Sequence, residues 1–192
     1  MYSESQREAI SQYVHMLLKW GRRMNLVHCA NPEEIYTRHI LDCAQIAELL
    51  HKDDLIIDVG TGAGLPGIIL SILGFNNVLL CEKNLKKCIF LTEVRSIIGL
   101  SFEICNGDVW QQNVSRETFC VTLVSRAFDK MEKLLALMVK IGATTGVFHK
   151  GISYQRELEA AKEQFLFDCE IKNSTTRDGC VIIKVMNVKS LR

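Results

Sequence analysis

Apolar residues recur at helical spacing through the first part of the chain. Ile10, Tyr13, Val14, Leu17 and Leu18 fall at i, i+3, i+4, i+7 and i+8, one stripe of an amphipathic helix. Ser3 with Gln6, and Ser5 with Glu8, have the spacing of capping boxes that would start it. Asn31-Pro32-Glu33-Glu34 marks a second start: an acceptor for the cap, a proline where no N–H is needed, and acid in the first turn. The pattern predicts a helix from there to about Leu50, with Ile40, Leu41, Ala44, Ala47 and Leu50 facing inward.

From residue 55 the period changes, and short apolar runs alternate with amphipathic stretches of helix length. Strands are expected at 55–59, 78–81, 102–105, 119–124, 144–149, 167–172 and 180–186, with helices at 66–74, 84–99, 130–141 and 154–166. Such alternation predicts right-handed crossovers and an α/β fold, a mostly parallel seven-stranded sheet flanked by helices. The last two strands lack a helix between them, so one of them runs antiparallel. The division expected is an N-terminal helical extension, 1–52, and one compact α/β unit, 53–192.

Composition adds limits. Of 192 residues, 48% are hydrophobic and 23% charged, which supports a real core and excludes a disordered chain. No apolar run approaches the ~20 residues of a membrane span. Met1-Tyr2-Ser3-Glu4-Ser5 has no charged-then-apolar leader, so a cytoplasmic protein with no membrane partner is expected. Eight cysteines contain no C-x-x-C pair, and Cys81, Cys105, Cys120 and Cys180 lie in apolar strands, where reduced thiols act as small hydrophobes. No metal site is expected. A net charge of +1 gives no global attraction to nucleic acid, so any RNA contact must be a local basic face. The candidates are Lys19 with Arg22 and Arg23, then Arg38, then Lys83, Lys86 and Lys87.

The chemistry concentrates in Leu55-Ile56-Ile57-Asp58-Val59-Gly60-Thr61-Gly62-Ala63-Gly64-Leu65-Pro66-Gly67, a strand entering a glycine-rich turn and a proline-started helix. Glycine permits the unusual dihedrals of such a turn and lets a ligand approach bare backbone. Two cofactors fit. Gly62-x-Gly64-x-x-Gly67 matches a dinucleotide loop, and Glu82, twenty residues after Gly62, stands where a ribose-binding acid belongs. Asp58-x-Gly60-x-Gly62-x-Gly64 instead matches the loop that wraps the methionine part of S-adenosylmethionine, with Glu82 again on the ribose. The second register lets the strand end naturally at Val59, with Asp58 at its rim, available to a cationic ligand. Asp108, after the third strand, would accept from an adenine amino group or cap the next short helix. Arg126, after the apolar run Val121–Val124, stands at a strand's carboxyl end, where a substrate is met.

Trp20-Gly21-Arg22-Arg23-Met24-Asn25-Leu26, Arg38-His39-Ile40-Leu41-Asp42-Cys43, the loop from Asp58 to Gly67, Lys86-Lys87-Cys88-Ile89-Phe90-Leu91, Ser125-Arg126-Ala127-Phe128 and Lys150-Gly151 occur in order. Together they resemble the bacterial ribosomal RNA small subunit methyltransferase G family, also called glucose-inhibited division protein B. The resemblance implies a Rossmann-like class I methyltransferase that uses S-adenosylmethionine, releases S-adenosylhomocysteine and methylates N7 of guanine 527 in 16S rRNA of the small ribosomal subunit. By matching positions it implies a cofactor pocket of Gly60, Leu65, Asp108, Val109 and Arg126, beside the loop residues Asp58, Gly62, Gly64 and Glu82. It also places Arg38, His39, Arg126 and Lys150 near the guanine and its phosphates, with Arg126, Lys150 and His39 as catalytic candidates and Arg22 and Arg23 on the RNA. The chain departs from the family at Gly21, Gly107 and Asp178, with Arg177 beside the last.

Guanine N7 carries a lone pair and no proton, so its methylation needs alignment and no general base. Arg126 then suits O6 or a phosphate, away from the ring that gains charge. A histidine among apolar neighbours, as His39 is, is more often a packed or positioning group than a catalyst. Arg38 and Asp42, at i and i+4, are expected to pair. Phe128 and Phe148 are the aromatic candidates for stacking on a displaced base. A monomer is expected. Two other classes use the same residues differently. A nicotinamide-dependent oxidoreductase would bind NADH and not S-adenosylhomocysteine, and a non-catalytic assembly factor would have a degenerate loop.

Overall fold

The computed structural model describes residues 2–21, 24, 26–27, 31–111 and 120–191. Seven strands, β1 (Leu55–Val59), β2 (Val78–Glu82), β3 (Glu103–Asn106), β4 (Val121–Arg126), β5 (Thr145–Lys150), β6 (Phe165–Asn173) and β7 (Val181–Ser190), form one sheet in the order β3-β2-β1-β4-β5-β7-β6. The first five are parallel, and β7 runs antiparallel between β5 and β6. The chain builds outward from β1 to β3, then returns past β1 to begin β4. That reversal opens a crevice at the carboxyl ends of β1 and β4, the place where sheets of this kind hold ligands.

Both faces of the sheet are covered, which is why its strands read as continuous apolar runs. Ile56, Leu80, Val124, Val147 and Ile182 point to one core, while Ile57, Cys81, Leu123, Phe148 and Ile183 point to the other. The first core is closed by α1 (Glu4–Gly21), α4 (Gly67–Ile72) and α5 (Leu85–Ile98). The second is closed by α6 (Met131–Ile141) and α7 (Tyr154–Lys162). Ile10, Tyr13, Val14, Met16 and Leu17 of α1 share one core with the sheet. The stripe read from the sequence therefore faces the sheet.

Local signals set most of the boundaries. Ser3 Oγ accepts from Gln6 N at 3.1 Å and Gln6 Oε1 accepts from Ser3 N at 2.9 Å, a reciprocal capping box. Asn31 caps α2 (Pro32–Ile35), accepting from Glu34 N at 2.9 Å, and Asn84 caps α5. β4 runs on through Arg126, and β6 begins at Phe165, where helix was expected, because its pairing with β7 extends to Ser190. Cys120, expected inside a buried strand, precedes β4 and is exposed.

The second predicted helix is corrected most. α2 gives way at Tyr36–Leu41 to a π-helical turn, then to the short α3 (Asp42–Ala44) and a 3₁₀ turn at Ala47–Leu49. The buried positions are Ile35, Ile40, Cys43 and Ile46, while Leu41, Ala44, Ala47 and Leu50 are half-buried. The wider turn matches the five-residue step from Ile35 to Ile40, and the polar Asp42 that follows it is buried.

Candidate active site

β1 delivers the chain into the glycine turn, where Gly60, Gly62 and Gly64 take φ of +64°, +61° and +93°. A Cβ on Gly60 would collide with the ring of Phe128, so bare backbone is required there twice over. Asp58 is fully buried, which corrects the expectation of an open rim. Its Oδ2 accepts from Thr61 Oγ1 at 2.6 Å and from Gly67 N at 2.8 Å, bracing both ends of the turn. Its Oδ1 is buried and has no hydrogen-bond partner among the described residues. Burial pushes the carboxyl up to about 7, against the Thr61 and Gly67 hydrogen bonds, which favour the charged form. From α1, Tyr13 Oη donates to Ala63 O at 2.7 Å. The sequence shows Tyr13 as one more position of an apolar stripe; its hydroxyl holds the turn.

A cleft of about 450 Å³ opens beyond the turn, lined by Gly60, Glu82, Asp108, Val109, Trp110 and Phe128 among others. Glu82, at the end of β2, accepts from Gly62 N at 3.1 Å and Asn84 N at 2.8 Å, one bond to each oxygen. Lys87 Nζ stands 3.9 Å from Oε2. Asp108 Oδ1 accepts from Trp110 N at 3.0 Å, so it caps the short turn after β3 while lining the cleft. Of the expected cofactor residues, Gly60, Glu82, Asp108 and Val109 line the cleft. Asp58, Gly62, Gly64 and Leu65 stand behind it and shape the loop, with Leu65 packed into the first core. Phe148 is fully buried in the second core, which removes it as a stacking candidate; Phe128 is exposed at the cleft.

A second cavity of about 320 Å³ lies past β4, lined by Asp42, Arg126, His149, Lys150 and Arg177 among others. The two cavities share Ala127, a non-glycine residue held at φ +58°. Arg126 lines the second cavity and not the first. Its Nε donates to Asp42 Oδ2 at 2.9 Å, and its Nη2 lies 3.1 Å from Arg38 O and 2.9 Å from His39 Nδ1. The expected Arg38–Asp42 pair is therefore overturned: Arg38 meets Glu34 at 2.6 Å, while Asp42 is buried and pairs with Arg126. Burial first, then Arg126 and Arg38, lowers His39 to about 4, so the neutral ring can offer Nδ1 to the guanidinium. Lys150 is a clamp: its Nζ donates to Asp129 O and Glu157 Oε2, both at 2.7 Å, holding the segment that carries Phe128. His149 donates through Nε2 to Asp42 O at 2.9 Å, leaving Nδ1 buried and without a partner among the described residues. Sequence reading missed His149; its signal was a histidine on an otherwise apolar strand beside Lys150. Arg22 and Arg23 lie outside the described residues. Among the described residues there is no group of metal-ligating side chains and no helix long and apolar enough to cross a membrane.

Strand order, antiparallel β7 and a cleft at the ends of β1 to β4 define the class, a Rossmann-like methyltransferase fold. Solved structures share it. A mutant of MtNAS in complex with S-adenosylmethionine is similar with a TM-score of 0.65 at 14% identity, over 96% of this chain and 72% of that one. M. jannaschii TYW2 in complex with AdoMet gives 0.57 at 17%, over 80% and 76%. The family model for rRNA small subunit methyltransferase G matches residues 6–180, and the chain belongs to that family. The ribosomal RNA small subunit methyltransferase G of Rickettsia akari (strain Hartford) is 33% identical over 186 residues, 96% of this chain and 95% of the relative.

Proposed function

We propose that this protein transfers a methyl group from S-adenosylmethionine to N7 of a guanine in 16S rRNA, at position 527 by family analogy. The observation that carries the reading is the pair of cavities meeting at Ala127, one bounded by the glycine turn and Glu82, the other by Arg126, Lys150 and Arg177.

The first cavity fits the methyl donor on three grounds. Gly60 presents bare backbone where a side chain has no room. Glu82 spends one hydrogen bond on each oxygen, and each has a further lone pair for a ribose hydroxyl. The buried, orphaned Asp58 Oδ1 supplies a negative potential behind the turn, where a cationic ligand would lower its carboxyl from about 7. Asp108 and Val109 would flank the adenine. The cofactor supplies an electrophilic methyl on a sulfonium, and the chain supplies alignment. Phe128, 37% exposed at the junction, offers a face on which a displaced base can stack. Arg126 and Arg177 supply positive charge for O6 or a phosphate. Lys150 acts through the Phe128 segment it clamps. N7 has no proton to lose, and the site matches that need: His39 turns Nδ1 to the Arg126 guanidinium, and His149 spends its Nε2 proton on Asp42 O.

The test is transfer of labelled methyl to small subunits lacking the modification, followed by reduction and aniline cleavage of the 16S rRNA. Label with one new cleavage site at a guanine is expected. Label that leaves no cleavage site, or no label with S-adenosylhomocysteine bound, would remove the N7 reading. Binding of NADH alone would remove the methyl donor.

A further inference from the structure

We propose that Asp42, in the N-terminal extension, is a positioning residue for methyl transfer: it fixes Arg126 so that one edge of the guanidinium faces the substrate cavity. This rests on the reading of the two cavities given above. Arginine is long and rotamer-rich, and its value to a substrate depends on how its planar fork is aimed. Here the fork is held on one side by three acceptors, Asp42 Oδ2, Arg38 O and His39 Nδ1, within 3.1 Å. All three belong to residues 38–42, the end of the π turn and the residue after it. Nη1 makes no hydrogen bond among the described residues, and Arg126 lines the second cavity. The edge left over is the edge toward the substrate.

Asp42 is itself fixed from three directions. Its Oδ1 accepts from Gln45 Nε2 at 2.9 Å and from Thr176 Oγ1 at 2.8 Å, and its carbonyl accepts from His149 Nε2 at 2.9 Å. Gln45 Oε1 in turn accepts from Thr175 N at 3.0 Å. The side chain is 3% exposed and its Arg126 partner 14%. Burial alone would raise the carboxyl, but His149, Arg126 and the Thr176 hydrogen bond outweigh it and hold it below the ordinary range. The carboxylate therefore stays charged. Asp42, through its carboxylate and its carbonyl together, joins the extension, the end of β4, β5 and the β6–β7 connection at one point, which sets both the aim of Arg126 and the spacing of the cavity walls.

The experiment compares wild type, Asp42→Asn, Arg126→Ala and the double variant in transfer to small subunits at saturating S-adenosylmethionine. Binding of S-adenosylhomocysteine is measured in parallel. Asp42→Asn is expected to lower kcat at least about 10-fold, because a small misplacement of an aligning group is costly. S-adenosylhomocysteine affinity should stay within about 2-fold, since Asp42 does not line the first cavity. Added to Arg126→Ala, Asp42→Asn should change kcat no further, because residues acting through one another are not additive. A merely structural role would multiply the two losses. Wild-type kcat in Asp42→Asn, or multiplied losses, overturns the proposal. Should that variant not fold, Asp42→Glu keeps the charge but moves the oxygens by one methylene; undiminished kcat there overturns it equally. A wild-type protein that transfers no methyl to 16S rRNA removes the functional reading first, an outcome separate from an active Asp42→Asn.

Discussion

Gly60 carries two demands in one residue, a positive φ of +64° and contact with the Phe128 ring, and only a missing side chain meets both. Gly60→Ala should keep its far-ultraviolet circular dichroism but lose at least about 10-fold in S-adenosylhomocysteine affinity by calorimetry, with the added strain alone costing about 1 kcal/mol. Wild-type affinity would show that Phe128 can swing clear and that the close approach is incidental. At this scale the sequence was informative where chemistry is local. Glu82 and the glycines could be placed because a strand, a turn and a fixed spacing bring them together. Phe128 and Phe148 could not be separated that way, because strand alternation and the covering by α6 send one into the core and leave the other at the cleft. Nor could Tyr13, whose buried ring reads as core while its hydroxyl reaches Ala63 O at 2.7 Å.

The element that departs most from its expected form is the helix after Asn31. Its start was legible, since Asn31 and Pro32 act through adjacent backbone. Its course was not, because an α-helix and a π turn differ by one residue per turn and propensity hardly distinguishes them. The buried step from Ile35 to Ile40 is satisfied by the wider turn, and the same turn brings Arg38 O, His39 and Asp42 to Arg126. Deleting the exposed Thr37 would let Ile35 and Ile40 face inward in ordinary α register. The expected product folds with a melting temperature near wild type, because the apolar positions are kept. Its methyl transfer should fall at least about 10-fold, because the tightened backbone withdraws Arg38 O and His39 Nδ1 from Arg126, while Asp42, two residues past Ile40, keeps its place. Wild-type transfer by this variant would show that the turn is a packing detail.

Across the molecule, three groups titrate in opposite senses, the half-buried His39 and His149 and the buried Asp58. His39 is lowered from 6.5 to about 4, so the unfolded chain takes up the proton first, and this stability is complete above 6.5 and lost as pH falls toward 4. His149 is shifted the same way by burial. Asp58 is raised from 3.8 to about 7, so it contributes stability at low pH that is lost as pH rises through that window. His39→Gln should therefore lose less melting temperature than wild type between pH 7 and 4. Asp58→Asn, which removes the opposing contribution, should lose more. Melting curves that stay parallel to wild type across that range would remove both groups from the linkage. None of these environments is visible in a sequence, because each is made by burial between segments far apart in the chain.

The sequence by itself determined the α/β class, the strand count, the glycine turn and the acid at the end of β2, because period and short-range spacing act within a few residues of backbone. Tertiary structure alone decided which residues share a cavity. Arg126 meets Asp42 across 84 positions, His149 meets it across 107 and Thr176 across 134. Those contacts depend on the strand order and on one widened turn. The free energy that selects them, burial of two cores and of the polar contacts between them, belongs to the assembled sheet and to no single segment.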